Sequence, residues 1–84
     1  MGVVLNTFVK MSNQEKITQK LYEALTNKYS AQISEAEATL MIYLNNPVGI
    51  GEHPQHLEEM DKFVDQLASA KDKLEALQQF KKYS

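Results

Sequence analysis

The sequence predicts an all-α fold: an antiparallel hairpin of two long helices, residues 13–46 and 54–83, expected to complete a helical bundle by self-association. Three observations lead there. Both prolines and two of the three glycines fall in one stretch, Asn45-Asn46-Pro47-Val48-Gly49-Ile50-Gly51-Glu52-His53-Pro54. Apolar residues recur at heptad-like spacing on both sides of it. The flanking arms are also of similar length, about 45–50 Å each at ~1.5 Å per residue, as an antiparallel pair requires.

Residues 1–12 read as an N-terminal extension or arm, and residues 13–84 as the hairpin domain. The first ten residues include Val3, Val4, Leu5, Phe8 and Val9, a segment too short and too weakly basic for a signal peptide. Met11-Ser12-Asn13-Gln14-Glu15 looks like a second beginning, with Met11 as a candidate natural start. The alternative is an arm that packs on the bundle. Ser12 and Glu15 have capping-box spacing, so a helix is expected to begin just after Ser12.

Between Asn13 and Asn46 there is no proline or glycine. The apolar stripe reads Tyr22, Leu25, Tyr29, Ile33, Ala36, Leu40, Tyr43, in steps of 3, 4, 4, 3, 4 and 3, with Ile17 and Leu21 extending it. Asn27-Lys28-Tyr29-Ser30 is the weak point, because asparagine and serine are modest helix formers, and a kink is expected there if anywhere. Asn45-Asn46-Pro47 ends the helix, since the residue before proline is biased away from helical angles.

Pro54 suits the first position of the second helix. Glu58, Glu59 and Asp61 near its start, and Lys81 and Lys82 near its end, complement the helix dipole. Its stripe is Met60, Phe63, Leu67, Ala70, Leu74, Leu77, in steps of 3, 4, 3, 4 and 3, extended by Leu57 and Phe80. Folding the arms together sets Tyr43 near Leu57, Leu40 near Met60, Ala36 near Phe63 or Val64, and Ile33 near Leu67. It further sets Tyr29 near Ala70, Leu25 near Leu74, and Leu21 or Tyr22 near Leu77. Small residues then face large ones at several layers.

Eighty-four residues make a small core, and such chains often gain burial by association. Leu40-Met41-Ile42-Tyr43-Leu44 is apolar all round the helix, which calls for burial all round. With Val48 and Ile50 in the adjoining loop, the expected oligomer interface is Leu40, Met41, Ile42, Leu44, Val48 and Ile50. A homodimer forming a four-helix bundle is the favoured assembly.

Composition excludes several function classes. There is no cysteine, hence no disulfide framework or thiolate site, which fits a cytoplasmic protein. The formal charge is −2 without blocks of like charge, and all nine basic residues are lysine. Bidentate reading of phosphate or guanine is mostly arginine work, so no nucleic-acid partner is expected. No apolar run approaches the ~20 residues of a membrane span.

No catalytic, cofactor or metal site is expected. His53 and His56, with Glu52 and Glu59 nearby, lack the three or four ligands of a metal site and read better as a polar helix start. Gly49-Ile50-Gly51 matches neither phosphate-loop spacing and follows no strand. Glu35/Glu37 and Glu58/Glu59 lie on helices without a cleft and read as solvated charge. Tyr22, Tyr29 and Tyr43 read as core residues with a polar tip. If any residues carry recognition, they are Gly51, Glu52 and His53, with His56 beside them, where the chain leaves regular structure. The alternative is that the loop only reverses the chain.

The stretch LMIYLNNPVGIGEHP at Leu40–Pro54, followed by HLEEMDKFVDQLASAKDKLEAL, resembles short uncharacterised helical proteins of tailed phages infecting marine bacteria. The resemblance spans about residues 15–80 and leaves the extension outside, which supports Met11 as the usual start. It implies an origin, with the host-cell cytoplasm as location, and no mechanism. The expected function is a protein–protein interaction or structural module acting as an oligomer, not an enzyme, that binds itself and a host or virion protein. The alternative is a phage-encoded binder that sequesters a nucleotide or other small anion, against which the absence of arginine counts.

Overall fold

The computed structural model describes residues 10–46 and 55–84. It contains helix α1, Asn13–Leu44, helix α2, Gln55–Gln78, and a closing 3-10 turn, Lys81–Tyr83, with no strand among the described residues. The two helices pack side by side as the expected hairpin. Residues 1–9 of the expected N-terminal arm (residues 1–12) and the placement of Pro54 at the start of α2 lie outside the described residues.

The capping box closes the N-terminus of α1 as its spacing requires. The Ser12 hydroxyl accepts from the Glu15 amide at 3.1 Å, and the Glu15 carboxylate accepts from the Ser12 amide at 3.2 Å. Two of the helix's orphan donors are thereby satisfied. At the other end α1 stops at Leu44, two residues short of the sequence estimate. Asn45 explains the difference, because both its backbone amide (3.0 Å) and its side-chain amide (2.8 Å) donate to the Met41 carbonyl.

No break occurs at Asn27–Ser30; α1 is continuous through it. Tertiary packing outweighs the weak propensity, since Tyr29 is half-buried with the Lys73 ammonium 5.9 Å from its ring centroid. Helix α2 ends five residues earlier than the expected 83. From Gln79 the chain tightens into three-residue hydrogen bonds, such as Phe80 N–H to the Leu77 carbonyl at 2.9 Å and Tyr83 N–H to the Phe80 carbonyl at 3.0 Å. Lys81 and Lys82 therefore sit on the 3-10 turn rather than in the last turn of α2.

Three contacts fix the antiparallel register. Near the loop end the Tyr43 and His56 rings are 5.6 Å apart. At mid-length Gln66 Nε2 donates to the Gln32 carbonyl at 2.9 Å and to Glu35 Oε1 at 2.8 Å. Farther along, Lys73 lies over Tyr29. Carried along the pair, this register places Ala36 opposite Phe63 and Tyr29 opposite Ala70. The two alanines are fully buried, at 0 % and 1 % exposure, and they let the helices approach closely.

The seam follows strict three- and four-residue alternation more closely than it follows hydrophobicity. On α1 the half-buried or buried series is Gln19, Tyr22, Thr26, Tyr29, Ile33, Ala36, Leu40, Tyr43; on α2 it is His56, Met60, Phe63, Leu67, Ala70, Leu74, Leu77. Thr26 takes the seam place expected of Leu25, which is pushed to the edge at 39 % exposure. The Thr26 hydroxyl donates to the Tyr22 carbonyl at 3.0 Å, so it enters the seam already satisfied. Likewise His56, not Leu57, meets Tyr43. Ile17, Leu21 and Phe80 do not extend the seams and are exposed.

Candidate functional site

Among the described residues no large side chain is fully buried, so the hairpin shows a large share of its apolar surface. At the loop end Met41, Ile42, Leu44 and Leu57 are between 62 % and 69 % exposed. The helical frame dictates this outcome: of the five residues Leu40–Leu44, only Leu40 and Tyr43 fall on the seam and are half-buried. Met41, Ile42 and Leu44 turn outward and form an apolar cap. Val48 and Ile50, expected to join them, lie outside the described residues.

The expected recognition residues divide in the same way. Gly51, Glu52 and His53 lie outside the described residues, whereas His56 is half-buried with its ring tilted 54° against Tyr43. A histidine held inside the helix pair contributes to packing where the loop meets the helices.

Sequence reasoning missed a second exposed apolar region at the opposite end. Ile17 and Leu21 are 60 % and 61 % exposed. The signal was present: running the alternation back from Tyr22 gives Gln19 and Glu15, leaving Leu21 and Ile17 off the seam. Val64 is a further exposed apolar residue on α2.

The outward side of α2 is charged, with Glu58, Asp61, Asp65, Asp72 and Glu75 all exposed. Two ion pairs lie on outer faces, Lys20–Glu23 at 3.2 Å and Lys62–Glu59 at 3.4 Å. Both are solvated pairs of small energetic weight. Among the described residues no group of three or more His, Asp or Glu is placed to hold a metal ion. No helix among them is long and apolar enough to cross a membrane.

The clefts are open and lie toward the chain ends. One of about 560 Å³ is lined by Met11, Ser12, Glu15, Thr18, Lys82 and Tyr83. Another, of about 440 Å³, runs between Tyr22, Thr26, Leu74 and Gln78. The first sets the Ser12 hydroxyl beside Glu15, and both are taken up by the capping box of α1. No known family model, curated protein or solved structure matches the chain.

Proposed function

We propose that this chain is a protein–protein interaction module that acts as an oligomer. The observation that carries the reading is the disposition of large apolar side chains: among the described residues none is fully buried, while Ile17, Leu21, Met41, Ile42, Leu44, Leu57, Val64 and Phe80 all stand in solvent. Clusters of exposed large apolar side chains, here one at each end of the hairpin, mark sites of association. The even mix of charges and the lack of arginine direct that association toward protein. The resemblance around Leu40–Pro54 adds a host or virion protein to the partners, with the host-cell cytoplasm as its setting.

Two measurements test the reading together. Light scattering at tens of micromolar, roughly the range where weak dimers populate, reports self-association. Capture from source cells, comparing the native chain with Ile42→Lys/Leu44→Lys, reports other partners. An oligomer, or a stoichiometric partner lost in the variant, supports the module. A chain that stays monomeric and captures nothing the variant loses refutes it.

A further inference from the structure

The solvent side of α1 carries a second heptad series. From Ile17, steps of 4, 3, 4, 3, 4, 3 and 4 residues pass through Leu21, Ala24, Lys28, Ala31, Glu35, Ala38 and Ile42. All eight residues are exposed, and six are apolar. With 3.6 residues per turn, this series lies nearly opposite the seam that faces α2. The matching side of α2 is dominated by carboxylates, so the feature belongs to α1 alone.

We propose that the back of α1 is a homodimer interface, on which a second copy of this chain lays its own α1 antiparallel. This rests on the interaction-module reading and names its partner and surface. In the register that meshes the two series, Ile17 meets the partner's Ile42 and Leu21 meets the partner's Ala38. Ala24 then meets the partner's Glu35, and Lys28 the partner's Ala31. The two-fold axis passes between residues 29 and 30, close to the midpoint of Asn13–Leu44.

Charge complementarity selects this direction and this occupant. Antiparallel pairing sets each Lys28 one layer from the partner's Glu35, twice by symmetry. Glu35 Oε1 accepts from Gln66 Nε2 of its own chain at 2.8 Å, and a carboxylate has a second oxygen that can accept from the partner's Lys28. A parallel, in-register pair would instead stack lysine on lysine and glutamate on glutamate. The flanking positions bring Asn27 beside the partner's Ser34 and Thr18 beside the partner's Thr39, without like charges. Lys20 lays its aliphatic stem along the partner's Met41.

Ala24, Ala31 and Ala38 allow close backbone approach, with isoleucines packed at the ends. The contact is about 38 Å long and ~10–12 Å wide. That is on the order of 400 Å² per copy, half the ~800 Å² of a standard interface, the size of a weak, transient association. The four helices then lie in a row, α2-α1-α1-α2, rather than in a closed bundle.

The cysteine-free chain makes the register directly testable. Under mild oxidation Leu21→Cys/Ala38→Cys is expected to give a covalent dimer, as is an equal mixture of the two single variants. Each single variant alone is expected to stay uncrosslinked, because position 21 and its copy lie about 25 Å apart along the helix. Single variants that crosslink as readily as the double variant overturn the antiparallel register. A double variant that remains monomeric overturns the interface.

A second arm leaves packing untouched. Lys28→Glu is expected to weaken the native-length dimer about tenfold, from two lost attractions and two new repulsions. Lys28→Glu/Glu35→Lys is expected to restore it. Unchanged association in Lys28→Glu, with helicity intact, contradicts the assignment. Failure in both arms removes this interface while the module reading still answers to its own partner-capture test.

Discussion

Ala36→Leu is the sharpest probe of the helix pair. Ala36 has no exposed surface, and the register sets it opposite the Phe63 ring. Three added carbons have no room there, so the helices must separate or the side chain must leave its rotamer, at a cost of about 1–3 kcal/mol. The fold holds on the order of 4–12 kcal/mol by its length. A loss of ~2 kcal/mol lowers the melting temperature by about 8–16 °C in a domain of this size. Phe63→Ala alone should cost about 2 kcal/mol, less than the ~3–5 of a fully buried phenylalanine, because Phe63 is half-buried. In the double variant the new leucine occupies the space the ring vacates. The combined loss should fall short of the sum by about 1–2 kcal/mol. Thermal and urea denaturation followed by far-ultraviolet circular dichroism, at one protein concentration, measure all four proteins. Strict additivity would refute the placement of Ala36 against Phe63, and an unaffected Ala36→Leu would refute close helix approach at that layer.

Other substitutions follow from the same packing. Leu40→Ala should cost about 1–2 kcal/mol, below the ~2–5 expected of a fully buried leucine, because Leu40 is only half-buried. Thr26→Leu should stabilise the hairpin by about 1 kcal/mol by adding apolar surface to the seam, whereas Leu25→Ala at the seam's edge should cost about 1 kcal/mol or less; a reversed order in urea titrations would restore Leu25 to the seam. Ser12→Ala should remove about 1 kcal/mol and fray the start of α1, seen as faster amide exchange at Glu15 and its neighbours. If copies associate, the melting temperature rises with protein concentration, and a constant value across a hundredfold dilution would argue for a monomer.

The hairpin was legible because its two signals are local. A single cluster of prolines and glycines breaks the chain, and heptad spacing on both sides survives a few misplaced residues. The seam's occupants were less legible. Choosing Leu25 over Thr26, and Leu57 over His56, follows hydrophobicity, whereas the helix places side chains by angle. Thr26 tolerates the seam because its hydroxyl is satisfied by the preceding turn, a local bond that hydropathy does not reveal. The end of α1 falls short of the sequence estimate for a related reason, since the Asn45 side-chain amide bonds the Met41 carbonyl and Asn46 N–H reaches back only to the Tyr43 carbonyl. The apolar back of α1 is visible in the same spacing, but treating Leu21 and Ile17 as extensions of the seam puts them on a face they do not occupy. The loop residues Gly51, Glu52 and His53 lie outside the described residues, so the fold neither supports nor opposes a recognition role for them.

The alternation of large and small residues along the seam has a consequence for how the hairpin finds its alignment. A heptad ladder nearly matches itself after a slide of seven residues, so spacing alone permits several alignments of similar hydrophobic content. Sliding α2 one way sets Ala36 against Ala70, leaving a gap, and Tyr43 against Phe63, which is overfilled. Sliding it the other way sets Tyr29 against Phe63. Gln66 adds a second check, because its amide reaches both Gln32 and Glu35 in one alignment only. The buried alanines thus act as a vernier, distinguishing one stop among equivalent marks. Their loss would leave the helices paired but free to settle a heptad out of step.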